Sequence, residues 1–123
     1  MPMGADKDHP YSEAVVANGL VFLSGCLPAA ADVSPEADGR ELLDAAVKTV
    51  ERRLKSVGGT LDDVIKLTYF VTDISMREAA NEQYLDLWDE PRPARTVIGV
   101  AVLPYNEKVE IDAIARQSQT AGT

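Results

Sequence analysis

Arg95 opens an apolar, strand-forming segment directly after Pro93-Ala94, where a guanidinium is costly unless an anion meets it. Its planar fork of donors matches the paired oxygens of a carboxylate or phosphate. A structural ion pair with one of the chain's 20 Asp and Glu residues would satisfy it as well, and spacing alone leaves both readings open. Glu110 sits between Val109 and Ile111 in an alternating segment, on the face opposite to them. There it can pair with a base, meet solvent, or polarise a water as a general acid or base. Tyr11 is either an ordinary strand aromatic or a hydroxyl offered to a ligand.

Cys26 follows Ser24-Gly25 and invites a nucleophile reading, but a thiolate needs an activating neighbour and His9 is the chain's one histidine. A buried, inert thiol explains Cys26 more simply. Ser24 has only the same His9 and no further partner for a hydrolytic triad. One Cys and one His do not make a Cys/His metal site within one chain. No glycine pattern matches a dinucleotide fingerprint or a phosphate loop. No metal is expected.

The overall charge narrows the partners. Twelve Lys and Arg against 20 Asp and Glu give a net charge of −8, with no basic run, which argues against binding a nucleic-acid backbone. No apolar stretch approaches the roughly 18 residues of a membrane span, and Met1–Pro10 lacks the apolar core of a secretory signal. A lone cysteine forms no intrachain disulfide. With 46% hydrophobic and 26% charged residues, the 123-residue chain reads as one soluble domain over 1–123, cytoplasmic, ending in a frayed tail at 117–123.

The elements that must carry these residues are visible in the spacing. Leu20-Val21-Phe22-Leu23 reads as a buried strand, and Tyr11–Val16 as its hairpin partner across the Asn18-Gly19 turn. Leu43, Val47, Val50, Leu54 and Val57 mark one face of a helix that Asp38 and Glu41 cap and Gly58-Gly59 ends, with Leu42 and Ala46 widening the face. Ile65, Leu67, Tyr69 and Val71 form one face of a strand. Ser75 to Glu78 reads as a second capping box, opening a helix to about Trp88 whose stripe is Met76, Ala79 or Ala80, Tyr84 and Leu87. Thr96–Leu103 and Val109–Ala115 are the last strands, giving β-β-α-β-α-β-β, an α+β order with both helices on one sheet face. Thr96–Leu103 is apolar on both faces, so a second layer must cover it. Sheet-to-sheet packing between identical subunits would supply that layer.

Pro10-Tyr11-Ser12, Leu23-Ser24-Gly25 with Pro28, Leu61 to Lys66, Val71-Thr72-Asp73, Asn81 to Tyr84, Pro93 to Thr96, Leu103-Pro104 and Val109-Glu110-Ile111 recur in one order and spacing. With them the chain resembles the RidA/YjgF family of reactive-intermediate (enamine/imine) deaminases over nearly its whole length. The resemblance implies a chorismate-mutase-like fold, a barrel-like homotrimer and three clefts between subunits. It implies that Arg95 binds a substrate carboxylate, that Glu110 positions the attacking water, and that Tyr11 completes the catalytic set. Ser24, Gly25 and Asn81 match pocket positions. The implied reaction hydrolyses a 2-imino acid or its enamine to the 2-keto acid and ammonia, without metal or cofactor.

The chain departs from the family pattern at His9, often Gly there, at Cys26, often Gln, at Gly99, often acidic, and in the turn after Pro28. These departures bear on the substrate. They leave room for a pathway-specific hydrolase of another carboxylated enamine (aminomuconate-like), or for a trimer that binds small ligands without turnover.

Overall fold

Asp38 lies at the end of an extended segment, and its carboxylate accepts from the Glu41 amide at 2.9 Å while Glu41 accepts from the Asp38 amide at 3.3 Å. This reciprocal cap satisfies first-turn donors and starts helix α1, Gly39–Lys55. Leu43, Ala46, Val47, Val50 and Leu54 are all buried along one face. Gly58, at φ +81°, turns the chain away after the helix as expected. The computed structural model describes residues 10–118, so His9 and residues 119–123 lie outside it.

Strands β1 (Ala14–Ala17) and β2 (Leu20–Cys26) join through Asn18 at φ 52° and Gly19 at φ 79°, the two left-handed residues of a type I′ turn. β1 is shorter than the expected Tyr11–Val16 and shifted along the chain. The tight turn pairs Ala17 with Leu20, and pairing stops at Ala14 with Leu23, after which β2 becomes irregular. Tyr11 therefore lies ahead of the strand.

β3 (Val64–Val71), β4 (Ala94–Gly99) and β5 (Val109–Arg116) complete a sheet of order β1-β2-β5-β3-β4. Helix α2, Arg77–Leu87, links β3 to β4, which run parallel as such a crossover requires. Every other strand pair is antiparallel. α1 packs on α2 and over β2 and β5, so one face of this α+β sheet carries the helices. Val109, Ile111, Ala113 and Ala115 alternate into that core and are buried. The other face holds Val15, Phe22 and Ile98, which are 49%, 41% and 40% exposed.

Four expectations need correction. In β3 a register shift between Val64 and Lys66 puts Val64, not Ile65, in the core beside Leu67, Tyr69 and Val71. The capping box at Ser75 does not form, because Asp73 accepts from the Ser75 amide at 2.9 Å and opens a short turn at Ile74–Met76; α2 then begins with no side-chain cap. β4 spans Ala94–Gly99 rather than Thr96–Leu103, since its partner β3 runs out where Val71 pairs with Gly99. Gln117 is tied down through its amide to Gly19 O at 2.8 Å, so the chain is held one residue into the expected tail. Among the described residues no helix is long and apolar enough to cross a membrane.

Candidate functional site

β5 carries Glu110 on the face away from the helices, where it lines a cleft of about 520 Å³ with Tyr11, Ser24, Gly25, Pro104 and Tyr105. The register of β2 against β5 shifts between Leu23 and Cys26, and this bulge turns Ser24-Gly25 toward Glu110. A side chain at position 25 would have to displace Glu110. A Cβ there would overlap the Glu110 carboxyl group, whose carbon would be 2.7 Å away. On the far side, Tyr105 adopts φ 59° in the turn Pro104–Asn106 and is 72% exposed. A left-handed tyrosine is strained by about 1–3 kcal/mol.

The Glu110 carboxyl is held above its ordinary pKa, first by burial and then by the negative charge of Asp112, with Arg53 pulling the other way. A carboxyl displaced upward is a better proton acceptor and donor near neutrality. Ser24 Oγ donates to Ser12 O at 2.6 Å, so it is engaged with backbone rather than with a base. Cys26 is buried, its Sγ donates to Ser24 O at 3.3 Å, and burial raises its pKa to about 11. That thiol stays protonated and is no nucleophile.

Arg95 lies elsewhere. It pairs in register with Leu67, so it faces the helices, and its Cζ stands 4.8 Å from the Tyr84 ring centroid and 5.6 Å from that of Tyr69. Nη2 donates to Asn81 Oδ1 at 2.6 Å, whereas Nη1 is buried with no hydrogen-bond partner. A cation over two aromatic faces is stabilised without being neutralised. Among the described residues no carboxylate pairs with Arg95, so the structural ion pair allowed by the sequence does not form.

The rings that hold Arg95 are themselves anchored. Tyr84 donates to Pro93 O at 2.7 Å, and the Tyr69 hydroxyl donates to Gln83 Oε1 at 2.9 Å. Gln83, fully buried, donates from Nε2 to Asp44 at 2.7 Å, and Asp44 pairs with Arg40 at 2.9 Å. Arg53 carried no signal of its own, and Gln83 only its place in the Asn81 to Tyr84 stretch, because neither breaks the apolar pattern of its helix. Tyr105 had a faint one, since Asn106 next to it tolerates the left-handed turn that both adopt.

The candidates therefore fall into two sets. Tyr11, Ser24, Gly25 and Glu110 come together on one side of the sheet; Arg95 and Asn81 come together on the other. The resemblance implied clefts between subunits, and within a single chain the six do not share one pocket. Among the described residues no three His, Cys, Asp or Glu side chains gather as they would around a metal ion.

The family model described as Endoribonuclease L-PSP matches residues 5–117. The chain is 35% identical over 108 residues to Reactive Intermediate Deaminase A, chloroplastic, of Arabidopsis thaliana, covering 86% of this chain and 58% of that longer relative. The crystal structure of RidA from an Antarctic Psychrobacter species superposes with a TM-score of 0.78 at 30% identity, covering 88% of this chain and 89% of that one. The structure of Escherichia coli TdcF with bound serine gives 0.78 at 32% identity, covering 89% and 90%.

Proposed function

The chain belongs to the RidA/YjgF family, and from that premise we propose that it hydrolyses 2-imino acids and their enamine tautomers to 2-keto acids and ammonia. The observation that carries the proposal is Arg95, a guanidinium clamped over two rings with one buried donor unpaired. A buried unpaired donor is costly, and a substrate carboxylate would relieve that cost. The amino acid bound to TdcF and the deaminase name of the plant relative support the same substrate class.

The chemistry asks for little. Imines hydrolyse readily, so the protein needs to orient a carboxylate, a C=N carbon and one water. Glu110 takes a proton from the water as its oxygen bonds to carbon. It passes that proton to nitrogen, giving a carbinolamine, and then moves the hydroxyl proton to nitrogen as the carbonyl forms, the C–N bond breaks and ammonia leaves. Tyr11 and Ser24 flank the water side of the cleft, while Asn81 holds Arg95.

Because Arg95 and Glu110 face opposite ways, the complete cleft is formed between copies of the chain, one contributing the Arg95 side and the next the Glu110 side. A homotrimer closes three such clefts and covers the apolar face bearing Phe22 and Ile98. The family description names an RNA-cleaving activity. A net charge of −8, with Asp112 beside Glu110, suits a small carboxylate-bearing substrate held at Arg95 better than a polyphosphate chain. Cys26 does not line the cleft and stays protonated, so it gives no support to the pathway-specific alternative.

The test is an imine-trapping assay. An amino-acid oxidase generates 2-imino acids in the presence of semicarbazide, and the protein or its Arg95→Ala variant is added. Suppression of semicarbazone by the wild type alone supports the proposal. No suppression with any of several amino acids refutes it.

A further inference from the structure

Arg53 lies on α1, outside the cleft, with its side chain only 11% exposed. Its Nη1 donates to Ser24 O and Gly25 O, each at 3.0 Å, and reaches Cys26 Sγ at 3.6 Å. One guanidinium thus holds three consecutive residues of β2, over which the ladder with β5 loses its register. A bulge leaves carbonyls without ladder donors, and a buried carbonyl left unpaired is costly. Arg53 supplies those donors from the neighbouring helix.

Its charge is largely left over. Nη2 stands 3.7 Å from Glu13, whose side chain is 57% exposed, and such a solvated pair neutralises little. Against the α-carbon of Gly25, whose carbonyl Arg53 holds, lies the Glu110 carboxyl. We propose that Arg53 is a positioning residue for the cleft: it fixes the Ser24-Gly25 bulge against Glu110 and brings its guanidinium to that side of the bulge. The proposal rests on reading Glu110 as the acid/base of imine hydrolysis.

The groups around Glu110 agree with this role. Asp112, on the same strand, disfavours the carboxylate, and Arg53 from α1 opposes it. Asp112 is itself tempered by Thr68 and Lys66 of β3. Cys26 of β2 stays protonated and adds no charge, and Tyr11 and Tyr105 line the cleft beside Glu110. A purely structural arginine would hold the bulge without altering the titration of Glu110.

The experiment follows the Glu110 side-chain carboxyl by carbon-13 NMR across pH in the assembled protein, for the wild type, R53M, R53Q and R53K. The pH dependence of imine hydrolysis is measured on the same samples. The expected result is a Glu110 titration moved to higher pH in R53M and R53Q, with R53K nearer the wild type and the acidic limb of the rate profile moving alongside. R53Q retains a donor for the bulge, so the charge effect stays readable if R53M does not fold. Wild-type titration of Glu110 in both neutral variants overturns the proposal. A shifted titration in a protein that never hydrolyses imines supports Arg53's role while refuting the deaminase reading, so the two failures are distinct.

Discussion

Arg95 and Glu110 stand on opposite faces of one sheet: Arg95 pairs with Leu67, which is buried beneath the helices, and Glu110 pairs with Phe70 on the face without helices. Side chains of directly paired residues share a face, so no rotamer change brings these two to one small molecule. On the function proposed above, the substrate touches both by bridging two chains.

Arg95→Lys keeps the charge and loses the planar fork that lies over Tyr84 and donates to Asn81. Lysine offers a point charge where a carboxylate needs two parallel donors. The expected loss in kcat/KM is about 10- to 100-fold, carried mainly by KM, with an unchanged melting temperature. Steady-state kinetics on a series of imino acids checks it.

Gly25→Ala drives a Cβ into the Glu110 carboxyl group. That carboxyl is the end of a flexible side chain and can swing aside at little cost to stability, but it then loses its place for the water. The variant is expected to fold with a denaturation midpoint close to that of the wild type and to lose most of its kcat. Chemical denaturation and kinetics on one preparation separate the two effects.

Glu110 also has a stability signature. Its folded pKa is raised above the unfolded value by burial and by Asp112. The folded state therefore holds the proton more tightly, a contribution present below the unfolded pKa and lost as pH rises through the folded one. Glu110→Gln, which never ionises, is expected to melt above the wild type at neutral pH, with the gap closing in acid. Thermal melts over a pH series read the sign directly, and the wild type should show an acidic limb in its rate profile above the ordinary glutamate range.

Gln83→Leu strands the buried Tyr69 hydroxyl and removes the donor to Asp44. The expected destabilisation is about 1–3 kcal/mol. Because the Tyr69 ring supports Arg95, KM should rise as well. Calorimetry and kinetics together check this.

Much of this was legible before the fold was known. Asp38 with Glu41, the Asn18-Gly19 turn and the alternation of Val109 to Ala115 are local signals, and local hydrogen bonds and burial enforced them. The misses are non-local. β4 ends where its partner ends, which its own residues do not encode, and Asp73 won the competition with Ser75 for the same first turn. Arg95, Glu110, Tyr11, Ser24, Gly25 and Asn81 were identifiable from family resemblance, but their division between two faces depends on strand register. The contacts of Arg53 and Gln83 were not legible because their partners lie 28 and 14 residues away along the chain.

The most direct measurement is subunit complementation. Arg95→Ala and Glu110→Gln proteins, each inactive alone, are unfolded together, refolded as mixed oligomers and assayed by imine trapping. A cleft shared between chains predicts that activity returns, because some interfaces combine an intact Arg95 from one chain with an intact Glu110 from the other. Mixed oligomers that form and stay inactive would contradict a site built from two copies.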